Sequence, residues 1–131
     1  MREILFKGKC EKEGDWHFGH LFQTDSGTIC ILEKYVPLKE LNYFEVDPKT
    51  VCQYTGLTDK DGRKIFEGDI FYDQNRNSFS VGFINCSFIA IPIKEITKKI
   101  IGRKWLTEFV GLSGYIEVIG NTFDNPELIG E

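Results

Sequence analysis

Short apolar runs, each closed by a compact polar turn, constrain this chain more than any other feature of it. Asp61-Gly62 separates residues 53–57 from residues 64–72. Asp-Gly between apolar runs signals a hairpin, because glycine takes the positive φ that a tight reversal needs. Thr24, Asp25, Ser26, Gly27 and Thr28 divide residues 15–22 from 29–32 in the same way. Polar residues 73–77 and 85–87 set off two further runs, 79–84 and 88–93. Consecutive strands joined by short turns make a meander, the unit of small barrels and curled sheets. Composition agrees, with 11 Phe, 5 Tyr and 2 Trp. Flat aromatic rings pack well on a pleated surface.

The remaining segments fill in this outline. Residues 3–9 alternate and are expected to enter a strand. Within residues 15–22, Trp16, Phe18 and His20 share one face at a spacing of two. Pro37 interrupts pairing in residues 33–46, which read as a loop or edge segment. Residues 64–72 read as one strand bent at Gly68. Residues 94–104 read as one or two helical turns ending at Gly102, with Ile96 and Ile100 on one face. Residues 115–119 read as a late strand and 125–129 as a terminal tail. The expected fold is mainly β: a curled antiparallel sheet over 46–93 and 115–119, an N-terminal hairpin, and at most one short helix. A length of 131 residues fits one domain. Sub-lobes at 1–45 and 46–131 are expected within it, with any boundary in 34–45.

Charge and cysteine usage narrow the function classes. The formal net charge of −4 argues against a protein that coats nucleic acid with its whole surface. Its distribution is uneven. Residues 94–104 carry Lys94, Lys98, Lys99, Arg103 and Lys104 against Glu95 alone, whereas residues 105–131 carry acidic groups and no basic one. No apolar run reaches the roughly eighteen residues of a membrane-spanning helix. No apolar stretch of signal-peptide length follows the N-terminus, so the expected compartment is the cytosol. Cys10, Cys30, Cys52 and Cys86 form no Cys-x-x-Cys pair and are expected to be small buried hydrophobes. A zinc site would need close ligand pairs.

Three candidate sites fail, two on spacing and one for want of a partner. Placing Gly62 sixth in a calcium loop puts Leu57 first and Gly68 twelfth, and neither ligates. The turn itself explains Asp61 as an acceptor for local amides and Gly62 as the positive-φ residue. His17 and His20, three apart on a strand, face opposite ways and cannot share a metal. Glu67 and Asp69 would share a strand face, but no nucleophile or proton partner is near them in sequence. One of the two is expected to bond backbone at the strand entry. No phosphate loop, Ser-His-Asp order or Cys-His signature occurs. No catalytic constellation, metal or cofactor is therefore expected.

Several blocks together resemble the YopX family of phage and prophage proteins. They are the opening residues 1–9, then Trp16 with Phe18 and Gly19. A central block holds Val46, Asp47, Pro48, Gln53, Tyr54, Thr55, Gly56, Leu57, Asp61, Gly62, Glu67, Gly68 and Asp69. A closing block holds Gly120 and Asn121 with Asp124, Asn125 and Pro126. The likeness spans nearly the whole chain. Cys52 departs from it, standing where a glycine is expected, and residues 73–116 follow no family pattern. The resemblance implies a small β-rich protein with an SH3-like, partly open barrel around Glu67-Gly68-Asp69-Ile70. It implies no activity.

Two function classes remain. The first is a non-enzymatic protein–protein interaction module that engages a host or phage protein, with homo-oligomer formation through open strand edges. The second is a weak nucleic-acid binder. In that reading Lys94, Lys98, Lys99, Arg103 and Lys104 contact phosphates while Trp105 stacks on a base. The same stretch could equally dock on an acidic partner, including the acidic C-terminal tail of a neighbouring copy, and a solvated helical face beside a core tryptophan is its structural explanation.

Overall fold

The computed structural model describes residues 3–33, 42–93, 104–105 and 116–129. These residues form antiparallel strands and short 3-10 turns, and they close no barrel. No helix among them is long and apolar enough to cross a membrane. The chain divides into two compact units, Met1–Tyr54 and Thr55–Glu131. The mainly β, antiparallel expectation holds.

The first unit contains β1 (Phe6–Lys9), β2 (Trp16–Gln23), β3 (Ile29–Glu33), β4 (Tyr43–Glu45) and the start of β5 (Cys52–Thr58). Their order across the sheet is β4-β3-β2-β1-β5. The β2–β3 hairpin read from the sequence is present, with Phe22 opposite Cys30 and His20 opposite Leu32. The edge segment expected near residue 46 is β4. Pro37 lies outside the described residues. The pairing of β5 with β1 joins residues far apart in sequence, Phe6 to Gln53 and Lys7 to Cys52. A 3-10 turn at Pro48–Thr50 leads into β5, and Asp47 caps it by accepting the Lys49 N–H at 3.0 Å. Thr50 Oγ1 accepts the Lys9 N–H at 2.8 Å and fastens that turn to β1. Gly8 is needed where it stands: a Cβ there would come within 2.7 Å of Val46 Cγ2. Leu5, Cys30, Ile31, Val46 and Cys52 are buried in this unit.

The second unit contains the rest of β5, β6 (Lys64–Phe66), β7 (Asp69–Tyr72), β8 (Ser78–Ile84), β9 (Ser87–Pro92), β10 (Lys104–Trp105) and β11 (Glu117–Asn121). The expected meander is there as β7-β8-β9, within a sheet ordered β10-β9-β8-β7-β11. Its core joins Ile65, Phe71, Phe79, Val81, Ala90 and Ile116, with Leu57, Phe88 and Val118 packed on it. Phe71 and Phe79 are cross-strand partners with ring centroids 5.4 Å apart. Burial of such aromatic and aliphatic groups contributes about 25 cal/mol per Å² of apolar surface.

Residues 64–72 are two strands, not one bent strand. Gly68 has φ +84° and reverses the chain between β6 and β7. Strand β6 pairs with β5, whereas β7 sits between β8 and β11. Asp69 Oδ2 accepts the Phe66 N–H across this turn at 2.8 Å, so a carboxylate does bond backbone at the strand entry. Glu67 belongs to the turn, so it shares no strand face with Asp69.

One turn design recurs. In the loops 24–28, 59–63 and 73–77 the N–H of the first residue bonds the carbonyl of the fifth. The fourth residue, Gly27, Gly62 or Arg76, takes positive φ. The first side chain then accepts interior amides. Asp59 Oδ1 takes the N–H groups of Asp61 and Arg63, both at 2.9 Å. Asp73 Oδ1 takes those of Asn75 and Asn77 at the same distance, and Thr24 Oγ1 takes that of Thr28 at 3.0 Å. The acceptor expected at Asp61 is therefore Asp59, because the first loop position aims its oxygens into the ring of amides.

All four cysteines are free, but only Cys10, Cys30 and Cys52 are buried. Cys86 is exposed. It follows Asn85 in a two-residue loop between β8 and β9, where both residues take positive φ, 53° and 65°. That loop matches the right-handed twist of its flanking strands and lifts its side chains away from the sheet.

Candidate interaction surface

The spacing of two on β2 puts Trp16, Phe18 and His20 on one face, as expected, and carries that face on to Phe22. The register extends that face sideways. Leu32 stands opposite His20 and Tyr43 opposite Leu32, while Cys30 stands opposite Phe22 and Glu45 opposite Cys30. Three large rings on this face stay open to solvent: Phe18 at 39%, Phe22 at 37% and Tyr43 at 64%. Phe22 and Tyr43 meet edge to face, with ring centroids 5.9 Å apart. At the other end Lys7 and Lys9 flank Trp16, with their Nζ atoms 4.4 and 5.9 Å from its ring centroid.

On the reverse face of the same strands Gly19 and Ile31 are buried, whereas Leu21 is 37% exposed. His17 stacks on Phe44 at 3.8 Å with the rings 9° from parallel. His17 Nδ1 and Glu33 Oε1 lie 2.9 Å apart, and the buried Nε2 has no hydrogen-bond partner among the described residues. His20 is exposed on the aromatic face, so the two histidines do point opposite ways. Among the described residues no group of three or more His, Cys, Asp or Glu side chains is placed to hold a metal.

A cleft of about 430 Å³ opens at the end of this sheet, where the β1–β2 turn, the start of β3 and strand β4 converge. Tyr43, Phe44, Ile29 and Val46 give it apolar walls, and Glu11, Glu13 and Glu45 outnumber Lys12 among its charges. Buried Cys30 lies behind Glu45. Loss of water around its thiol, and then the Glu45 charge, raise its pKa above 9.0. In the second unit a smaller hollow of about 210 Å³ is lined by Lys60, Tyr72, Asp73, Gln74, Arg76 and Glu117. Arg76 sits over the Tyr72 ring there, 5.2 Å from its centroid.

Of the basic stretch singled out in the sequence, Lys94, Lys98, Lys99 and Arg103 lie outside the described residues. Lys104 and Trp105 form β10, paired with Ala90 and Ile89. The other motif residues build local structure. Asp47 and Pro48 start the 3-10 turn. Thr55 Oγ1 donates to the Ile65 carbonyl at 2.8 Å, Gly56 has φ +89°, and Gln53, Tyr54 and Leu57 lie in β5. Gly120 forms an irregularity in the β11–β7 ladder. Asn121 Oδ1 accepts the N–H groups of Phe123 and Asp124 at 2.9 and 2.8 Å. Sequence reasoning missed the β4 cleft, because its walls come from three separate stretches of chain.

No curated protein sequence matches the chain significantly. The crystal structure of protein EF1440 from Enterococcus faecalis is similar in fold, with a TM-score of 0.62 at 20% identity. The match covers 99% of this chain and 100% of that one. The family model described as YopX protein matches residues 6–130. With the match spanning nearly the whole sequence, the chain belongs to the YopX family.

Proposed function

We propose that this protein is a non-enzymatic protein–protein interaction module of phage or prophage biology, acting in the cytosol of the bacterial host. The observation that carries this reading is the open aromatic face of the first unit, with Phe22 and Tyr43 in contact and Phe18 exposed farther along the same face of β2. Aromatic rings dominate the energetics of protein interfaces, and contiguous exposed apolar groups mark such sites. The family resemblance supports the phage setting. The competing reading is nucleic-acid binding by Lys94, Lys98, Lys99, Arg103, Lys104 and Trp105. It rests on the concentration of five cations in one short stretch.

Affinity capture of the tagged full chain from host lysate, with and without nuclease, separates the two. A partner protein that survives nuclease and is lost from a Phe18→Ser/Phe22→Ser/Tyr43→Ser variant is the expected result. Enrichment that vanishes with nuclease, and from a Lys98→Glu/Lys99→Glu/Arg103→Glu/Lys104→Glu variant, would replace the proposal with nucleic-acid binding.

A further inference from the structure

Strand β4 stands at the end of its sheet, and the backbone geometry of its outer edge can be read residue by residue. In an antiparallel ladder, opposite residues alternate between bonded and non-bonded pairs. The Glu33 N–H donates to the Asn42 carbonyl at 2.9 Å, and the Val46 N–H to the Ile29 carbonyl at 3.0 Å. These bonds bracket β4 and make Phe44 and Ile31 the bonded pair between them. Tyr43 and Glu45, opposite Leu32 and Cys30, are then the non-bonded pairs. Their amide and carbonyl groups point away from β3, toward the edge at which the sheet's strand order ends. One short stretch thus offers two donors and two acceptors at the spacing an added strand requires, and it ends where the next outward N–H, that of Asp47, donates to the Lys9 carbonyl at 2.9 Å.

The acidic cleft lies along that edge. Tyr43 and Phe44 supply apolar walls on opposite faces, and Glu11, Glu13 and Glu45 face the single cation Lys12. We infer that the β4 edge and its cleft take an extended, lysine- or arginine-bearing segment of a partner protein as an added strand. This inference rests on the interaction-module reading above and names the chemistry of the partner. Main-chain bonds to Tyr43 and Glu45 hold the segment, and alternate side chains meet the rings and the carboxylates. Three carboxylates repel a phosphate backbone, so the occupant is protein rather than nucleic acid.

The test uses the full chain and a fluorescein-labelled peptide of alternating valine and lysine, read by anisotropy. Saturable binding is expected, with none for the matching valine–glutamate peptide. Glu11→Lys/Glu13→Lys is expected to weaken it at least about tenfold. Tyr43→Pro removes an outward N–H, which edge strands tolerate, together with the Tyr43 ring of the cleft wall, and is expected to weaken binding by at least about tenfold, with Tyr43→Ala as the control for loss of the ring alone. Should the proline variant fail to fold, a valine–lysine peptide N-methylated at alternate residues tests the same bonds from the ligand side. No saturable binding, or equal binding of the lysine and glutamate peptides, overturns the inference. So does unchanged affinity with the charge variant or the methylated peptide. A dimer seen by sedimentation and abolished by Glu11→Lys/Glu13→Lys would make a second copy the occupant and overturn the foreign partner. A lysate partner that survives nuclease and is still held by Glu11→Lys/Glu13→Lys would sink the β4 inference while leaving the interaction-module reading standing.

Discussion

Asp59 Oδ2 accepts the Val118 N–H at 3.1 Å, tying the loop after β5 to the strand that closes the second unit's sheet. Its other oxygen is occupied by the amides of Asp61 and Arg63. Two contacts reinforce the same junction: Lys60 N–H to the Ile116 carbonyl at 3.0 Å, and Arg63 Nη1 to the Val118 carbonyl at 3.0 Å. Asp59→Ala leaves three amides without their acceptor. It should destabilise the protein by about 3 kcal/mol, measured as a lower urea midpoint at unchanged slope. Asp59→Asn keeps one carbonyl oxygen and should lose less.

Gly62 isolates the cost of backbone conformation. It has φ +82°, and a Cβ placed there meets nothing within 4 Å. Gly62→Ala should therefore cost about 1 kcal/mol through left-handed strain alone. Arg76 holds the equivalent loop position with φ 65°. Arg76→Gly should gain stability by less than that amount, since the arginine's contact with Tyr72 is lost. Paired urea titrations of the two variants check both signs.

Gly120 is sensitive for a different reason. A Cβ there would overlap Asn125 Oδ1, which accepts the Asn121 N–H at 3.1 Å. Gly120→Ala should displace Asn125, break this hydrogen bond and cost about 2 kcal/mol. Amide exchange at Asn121 should accelerate in the variant, and the Phe66 amide bonded to Asp69 should be unaffected.

Thiol chemistry should rank the cysteines. Cys86, exposed in its loop, is expected to react first with an alkylating reagent, and Cys30 among the last. The raised Cys30 pKa means the folded state holds that proton more tightly than the unfolded state. Its contribution to stability is complete below the unfolded pKa and is lost as pH rises through the folded value. Stability should fall above about pH 9, and Cys30→Val should flatten that part of the profile. Urea midpoints across the alkaline range, with mass spectrometry of timed alkylation, measure both.

The hairpin at Asp61-Gly62, the β2–β3 hairpin and the meander were legible because turn chemistry is local. Alternation on β2 likewise placed Trp16, Phe18 and His20 together, since a strand's period of two needs no partner. Local reading went wrong at residues 64–72. An apolar run interrupted by one glycine looks the same whether the chain bends or reverses. It also named Asp61 as the turn's acceptor where Asp59 performs that role, because which carboxylate points inward depends on the loop's closing bond.

The sequence by itself determined the strand class, the turn positions, the family and the aromatic stripe, all of which follow from residue type at short spacing. Tertiary structure alone decided that β5 lies beside β1, that Asp59 reaches Val118, and that β4 ends its sheet beside a cleft lined by Glu11, Glu13 and Glu45. Those features depend on pairings between residues distant along the chain. Such pairings are chosen by how apolar faces bury against one another, and no local pattern encodes them.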